Sequence, residues 1–232
     1  SGAVWGKGVA YRVDVGPCWA SIKSSGLRGA RIGLLRSAYQ RSTQAGVTGD
    51  TTDPEVAQVF MRAVDDLRAA GATIVDPAVI EGLDQIRRPQ GVGPCMGFKY
   101  DINRYLASHG DRVPVKSLTD IVKSGRFHPT VRRQLEQGGQ GGEHGPDSPE
   151  CKADAAYREQ VRAAVTKTMD ALKLDGFVYP TWSNPPRLIG DLNTAHGDNS
   201  QFFSPTTGFP AIQVPMGYTR GGRLPAGITF FG

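Results

Sequence analysis

Apolar residues in the first part of the chain follow the spacing of a strand, then of a helix, then of a strand again. The run RIGLL at 31–35 is short and apolar, as in a buried strand. Asp53 and Pro54 are the start signal of a helix, because Asp accepts from free N–H groups and Pro has none to lose. Gly71 is placed to end that helix, and ATIVDP at 72–77 predicts a second strand.

The middle of the chain is predominantly helical in its pattern. Ser117 is a suitable N-cap, with Asp120 in the capping-box position and Gly125 as the stop. The segment GGQGGEHGPDSP at 138–149 predicts a flexible loop. The predicted helices cover residues 94–108, 117–125, 129–137 and 150–173.

Strand-like patterns return in the last third. FVYP at 177–180 predicts a buried strand, and a loop rich in Pro, Asn and Gly follows it. A short helix is expected over 200–204. AIQVPMGYT at 211–219 and AGITFF at 226–231 predict two final strands that are joined by the turn RGGRLP.

Strand, helix and strand in this order indicate an α/β fold, with a mixed β-sheet flanked by helices. Residues 1–26 have weak periodicity and allow little interpretation. We therefore predict a single domain over 27–232, preceded by a poorly interpretable N-terminal segment.

Composition and charge exclude several classes of function. The chain has 39% hydrophobic and 21% charged residues, as in an ordinary globular protein. Its net charge of +5 comes from scattered basic residues without a run of five, so we expect no nucleic-acid partner. No apolar stretch is long enough to span a bilayer, so we expect no membrane partner either.

The three cysteines, Cys18, Cys95 and Cys151, are far apart and odd in number. No CxxC or Cys/His spacing suggests zinc. The sequence thus predicts three reduced cysteines in a cytoplasmic protein that uses no metal and no cofactor.

The C-terminal third carries the most specific motifs. Residues 208–217 read GFPAIQVPMG, and residues 224–232 read LPAGITFFG. The two motifs resemble the GxPAxxVPxG and LPxGxxxxG strands of the amidase signature family. YPTWSNPP at 179–186 and LRGARIGLLRSAY at 27–39 are similar to further segments of that family, in the same order.

The resemblance implies a hydrolase that cleaves carboxamides with a Ser–cis-Ser–Lys triad. In the family this triad lies before the region that matches here, and a final helix follows the last strand. The stretch Lys23-Ser24-Ser25-Gly26 has the right residue types but no glycine-rich loop, so we interpret it as a linker. We expect the chain to be a truncated, internal piece of such an enzyme.

The segment TAHGDNSQFFS offers residue types for a new catalytic site. Ser204, His196 and Asp198 supply the members of a Ser–His–Asp relay on a loop and a short helix. The sequence has no GxSxG elbow. Loop capping by Asp198 or Asn199, with a solvated His196, is the alternative that the sequence favours.

Aromatic residues near the same segment predict a substrate pocket, with a few polar groups to orient a ligand. The alternative for these aromatic side chains is core packing. The predicted substrate-binding residues are Tyr179, Trp182, Asn184, Phe202, Phe203 and Thr207.

The resemblance therefore predicts an amide hydrolase that acts on small carboxamides, with aryl or acyl amides as the suggested substrates. A non-catalytic binding or assembly module derived from an amidase, and a shortened hydrolase with a new Ser/His/Asp site, are the alternatives. Incomplete sheets expose edges and apolar surface, so we also expect self-association or a missing N-terminal half as partner.

Overall fold

The computed structural model describes residues 25–40, 52–86, 95, 97–140, 142–191, 197–200 and 203–232. These residues form two compact units. The first lies within Ser1–Val79, Leu172–Ser200 and Pro210–Gly232, and the second within Ile80–Ala171 and Gln201–Phe209. A single domain over 27–232 stays a prediction.

A five-stranded mixed sheet forms the first unit, with the strand order β2-β1-β3-β5-β4. β1 pairs in parallel with β2 and β3, whereas β5 is antiparallel to β3 and β4. The predicted α/β fold with a mixed sheet is confirmed. The strands are β1 (Arg31–Leu34), β2 (Thr73–Val75), β3 (Gly176–Pro180), β4 (Ala211–Thr219) and β5 (Leu224–Phe231).

Helix α1 (Pro54–Ala69) begins at its predicted cap and packs on this sheet. Asp53 Oδ1 accepts from the backbone N–H groups of Glu55 at 3.0 Å and Val56 at 3.4 Å. Burial of an apolar side chain such as Val, Leu or Phe stabilises a fold by about 1.5–3 kcal/mol. The apolar face of α1 therefore holds the helix against the sheet. The buried residues of α1 are Val56, Val59, Phe60, Val64 and Leu67.

Gly33 of β1 allows the close packing of the first unit's core. A Cβ atom at this position would lie 2.7 Å from Leu174, 2.8 Å from Ala78 and 2.9 Å from Phe177. Protein interiors have no spare volume for such an atom, so this strand requires glycine here.

The second unit is helical. Its helices are α2 (Gly97–Ser108), α3 (Leu118–Ser124), α4 (Arg132–Gln140), α6 (Ser204–Thr207) and nearly all of α5 (Pro149–Leu172). Ser117 Oγ accepts from Asp120 N–H at 3.1 Å, and Gly125 ends α3 with φ +63°, as predicted. No helix in the described part of the chain is long and apolar enough to cross a bilayer.

Helix α4 and the last short helix differ most from their predicted bounds. α4 continues through Gly138 and Gly139, because α2 and α3 pack against it and outweigh the low helix propensity of glycine. The last short helix starts at Ser204 rather than Ser200, with Phe203 at its N-cap. Asp198 and Asn199 are not the N-cap of this helix. Asp198 Oδ1 accepts from Ser200 N–H at 2.9 Å, which is a local cap of the loop.

Two cysteines of the second unit form a disulfide. Cys95 and Cys151 are bonded, with their Cα atoms 4.5 Å apart. The prediction of three reduced cysteines is wrong for this pair, because a separation of 56 residues gave no hint of their proximity. Cys18 lies outside the described residues.

Candidate functional site

A pocket of about 440 Å³ opens at the carboxyl end of β3, within the first unit. Its walls are the loop after β3, the first residues of β5 and the first turn of α1. Ligands of open α/β sheets often bind at the carboxyl ends of strands, so this pocket is a candidate binding site. The apolar lining includes Val56, Trp182, Pro185, Pro186, Leu188 and Pro225, and the polar lining includes Asn184, Arg187 and Asp191.

A β-turn at the pocket carries two apolar side chains into solvent. Asp191 N–H donates to Leu188 O at 3.0 Å, and Gly190 adopts φ +88°, which the turn requires. Leu188 is 84% exposed and Ile189 is 107% exposed. Leu188 also lines the pocket, so a ligand there could bury apolar surface that is now in water.

A buried amide fixes the loop that forms the main wall. Asn199 Nδ2 donates to Pro180 O at 2.8 Å and to Ser183 Oγ at 3.0 Å. Asn199 N–H donates to Thr181 O at 2.9 Å, and Ser183 N–H donates to Gly197 O at 2.7 Å. Buried amides that satisfy several backbone groups hold loops in one shape, so this wall is preorganised.

Gly197 must be glycine for that loop to close on itself. It adopts φ +64°, and a Cβ atom there would lie 2.7 Å from Ser183 Cβ and 2.8 Å from Asn184 Nδ2. Asn184 lines the pocket, so the close backbone approach helps to place its amide.

Thr181 connects this wall to β5. Thr181 N–H donates to Gly227 O at 2.8 Å, and Gly227 lines the pocket. The Thr181 and Thr229 hydroxyls share a hydrogen bond of 2.8 Å, and both residues are buried. Two walls of the pocket are thus held together by a main-chain bond and a side-chain bond.

Arg220 forms a cluster of charges beside the wall that the first turn of α1 provides. Its guanidinium lies 2.6 Å from Asp53 Oδ2 and 2.9 Å from Glu55 Oε1, both at the start of α1. The hydrogen bond from the Arg220 guanidinium holds the pKa of Asp53 below its ordinary value. The pKa of Glu55 is also lowered, chiefly because the Arg220 backbone N–H donates to its carboxylate.

Of the residues predicted to bind substrate, Trp182 and Asn184 line this pocket together. Tyr179 is fully buried in β3, as in the core-packing alternative. Phe203 and Thr207 are buried in the second unit, where Thr207 Oγ1 donates to Phe203 O at 2.8 Å. Phe202 lies outside the described residues.

The predicted Ser–His–Asp group is not assembled by any described contact. Ser204 Oγ donates to Phe209 O at 2.8 Å in the second unit. Asp198 Oδ1 accepts from Ser200 Oγ at 2.6 Å in the first unit. His196 lies outside the described residues, so the relay stays a prediction.

Several residues of the site carry no clear signal in the sequence. Val56 appears only as a core position of a helix, and Arg220 as one of two arginines in a turn. Arg187 and Asp191 lie in a loop whose composition alone indicates no pocket. Asp53 is recognisable as a cap, but its ion pair spans 167 residues and has no local pattern.

No three His, Cys, Asp or Glu side chains within the described ranges are grouped so as to hold a metal ion. The prediction that the protein uses no metal and no cofactor stays a prediction.

The sheet defines an α/β protein, with a pocket at the carboxyl end of β3 and the amino end of β5. The Amidase family model matches residues 14–232, and the chain belongs to this family. The family resemblance in the C-terminal motifs is thereby confirmed.

Curated relatives and solved structures agree with this placement. The chain is 26% identical to a glutamyl-tRNA(Gln) amidotransferase subunit from Synechococcus sp. (strain WH7803), covering 89% of this chain and 42% of the relative. It is 28% identical to the corresponding protein of Chlorobium phaeobacteroides (strain BS1), covering 90% of this chain and 43% of the relative. The chain thus spans less than half the length of these relatives.

The fold is similar to that of native peptide amidase from Stenotrophomonas maltophilia, with a TM-score of 0.61 and 23% identity. That match covers 97% of this chain and 46% of the other. A bacterial aryl acylamidase of the amidase signature family matches with a TM-score of 0.53 and 18% identity, covering 89% of this chain and 40% of the other. At these identities the two structures show the fold alone.

Proposed function

We propose that this chain provides the substrate-binding part of an amide hydrolase, which cleaves the C–N bond of a carboxamide with water to give a carboxylic acid and an amine. The observation that carries the proposal is the pocket that Trp182, Asn184 and the Pro225–Gly227 stretch enclose. The Pro225–Gly227 stretch belongs to the LPxG motif, so a motif of the family lines this cavity.

The chemistry of the lining favours an apolar acyl or aryl moiety next to the amide. The Trp182 indole, three prolines and Leu188 provide apolar surface, and the Asn184 side chain can both donate to and accept from an amide. Peptide amidase and aryl acylamidase, which share the fold, are both named for amide substrates. These names support the reaction class, and the lining supports the apolar moiety.

The proposal assigns binding to the described residues and leaves nucleophilic attack to the Ser–cis-Ser–Lys region that the resemblance places before the matched segment. An acyl-transfer site needs a nucleophile, a base and donors for the oxyanion. The relatives are named as one subunit of an amidotransferase, and the chain covers less than half of their length. The proposal therefore includes a partner chain or a longer form of this chain.

Binding and turnover are measured separately with the 232-residue chain. A panel of aryl and acyl amides, with the matching esters, is titrated by calorimetry and assayed for released amine or alcohol. We expect Trp182→Ala and Asn184→Ala to weaken binding. Phe98→Ala removes an exposed aromatic side chain of the second unit and is expected to leave binding unchanged.

Absence of binding by every compound would contradict the proposal. Binding without turnover would support the binding part alone, whether of a longer enzyme or of a non-catalytic module. Turnover that disappears in a His196→Ala/Ser204→Ala double variant would support the alternative catalytic site.

A further inference from the structure

Arg220 has a backbone conformation that residues other than glycine rarely adopt. It lies in the turn between β4 and β5, with φ +54°, in the left-handed region that favours glycine. Gly221 and Gly222 follow directly, also with positive φ, so two glycines stand next to the arginine in this turn. Non-glycine residues in this region are held by their surroundings and often occur at functional sites.

The surroundings that hold Arg220 are two carboxylates at the start of α1. The guanidinium donates to both Asp53 oxygens, at 3.3 and 2.6 Å, and the Arg220 backbone N–H donates to Glu55 Oε2. Bidentate ion pairs between a guanidinium and a carboxylate fix the relative orientation of the two groups as well as their distance. The turn is therefore fixed to the first turn of the helix.

Asp53 passes this constraint to the pocket through its own backbone. Asp53 N–H donates to Ser183 O at 2.8 Å. Ser183 lies between Trp182 and Asn184, the two lining residues of the loop wall, and is itself held by Asn199. Three residues after Asp53, Val56 forms the helical wall of the same pocket.

We propose that Arg220 is a positioning residue, which fixes the helical wall and the loop wall of the pocket relative to each other through Asp53. The proposal rests on the proposed function, because the walls it positions are those of the amide pocket. Arg220 itself does not line the pocket, so it acts through Asp53 and Ser183 and not by touching substrate.

The chain offers a matched control for such an ion pair. Arg36 and Asp76 also form a bidentate ion pair, with both N–O distances at 2.7 Å. The side chains of Arg36 and Asp76 are 38% and 21% exposed, against 39% and 15% for Arg220 and Asp53. Neither residue of the control pair lines the pocket.

The first test needs no ligand. In a background of Trp5→Phe and Trp19→Phe, Trp182 is the only tryptophan, and its quenching by acrylamide reports its exposure. We expect Arg220→Ala to raise the quenching constant of Trp182, and Arg36→Ala to leave it unchanged. Arg220→Lys keeps the charge and should bring the quenching constant part of the way back to the wild-type value. An unchanged constant in Arg220→Ala would overturn the proposal.

The second test uses the tightest-binding amide of the panel. We expect Arg220→Ala to weaken its binding about tenfold, which corresponds to about 1.4 kcal/mol, and Arg36→Ala to leave the dissociation constant unchanged. Equal losses in the two variants would mean that Arg220 only stabilises the fold, and would overturn the proposal. If Arg220→Ala does not fold, Asp53→Asn keeps the shape of the helix cap and takes its place in both tests.

The two proposals fail in different ways. If no amide binds the wild-type chain, the proposed function fails, while the quenching of Trp182 still decides whether Arg220 positions the wall. If amides bind and neither quenching nor affinity responds to Arg220→Ala, only the role of Arg220 is wrong.

Discussion

Thr181 and Thr229 form a hydrogen bond of 2.8 Å between their hydroxyl groups, across 48 residues of sequence. Thr181 follows β3 directly and Thr229 lies within β5, so the bond ties the start of the loop after β3 to the neighbouring strand. Both residues are buried, which leaves little water to replace a lost partner.

For this pair we expect the losses of unfolding free energy in the single and double variants to be strongly non-additive. Thr181→Val or Thr229→Val alone leaves one buried hydroxyl without its partner and should lower the free energy of unfolding by about 1–3 kcal/mol. The double Val variant removes both hydroxyls and keeps their shape, so it should cost less than the sum of the single variants. Urea unfolding of the four proteins measures the coupling, and additive losses would contradict the prediction.

The packing of β1 predicts that Gly33→Ala is destabilising. The new methyl group would approach Ala78 and Phe177 to within 3 Å, and overpacking of this kind costs about 1–3 kcal/mol. Thermal or urea unfolding measures the loss.

Gly139→Ala in α4 is the matched control for Gly33→Ala. A Cβ atom there would be 3.8 Å from Val122, an ordinary contact, and alanine favours the helix by about 1 kcal/mol over glycine. The two variants should therefore shift stability in opposite directions, and a shift in the same direction would be evidence against the packing argument.

Local patterns predict the elements of this protein better than they predict its site. The bounds of β4, 211–219, agree with the sequence because an apolar run is bracketed by turn residues. α1 agrees because the Asp53 cap and Pro54 act within one turn. These signals arise from residues that are neighbours in the chain.

The site depends on contacts that no local pattern contains. The sequence predicts Trp182 as an aromatic and Asn184 as a polar pocket residue, and both line the pocket. Arg220 and Asp53 are 167 residues apart in sequence, and the packing of α1 on the sheet brings them together. The Cys95–Cys151 disulfide is missed for the same reason, since the fold of the second unit brings the two thiols together.

The disulfide predicts that the second unit loses stability on reduction. Closing a loop of this length restricts the unfolded chain, and the cross-link contributes about 2–4 kcal/mol. We expect the midpoint of urea unfolding to fall on addition of dithiothreitol, and two additional thiols to become titratable.

A Cys95→Ser/Cys151→Ser variant gives the control for that measurement. It should match the reduced protein in stability, and dithiothreitol should not lower its stability further. If the reductant releases no further thiols from the wild-type chain, the two cysteines are not bonded in solution.

Acid should weaken the Arg220 cluster. The pKa of Asp53 lies below its ordinary value of 3.8, first because Arg220 donates to the carboxylate, and that of Glu55 lies below 4.5. The unfolded chain therefore binds more protons than the folded chain in this range, so stability rises with pH. The contribution of these carboxylates is complete above their unfolded-state pKa values and is lost as the pH falls through the lower folded-state values.

Arg220→Met tests this pH dependence, because it keeps most of the side-chain length and removes the charge. Without the guanidinium the folded-state pKa of Asp53 moves back towards its ordinary value, so the stability of the variant should fall less steeply between about pH 4.5 and pH 2. Urea unfolding over pH 2–7 measures both slopes. Arg36→Met should reduce the slope in the same way, because Arg36 holds the pKa of Asp76 below 3.8. Parallel curves for the wild type and Arg220→Met would mean that the ion pair seen in the structure does not persist in solution, and the positioning role of Arg220 would lose its physical basis.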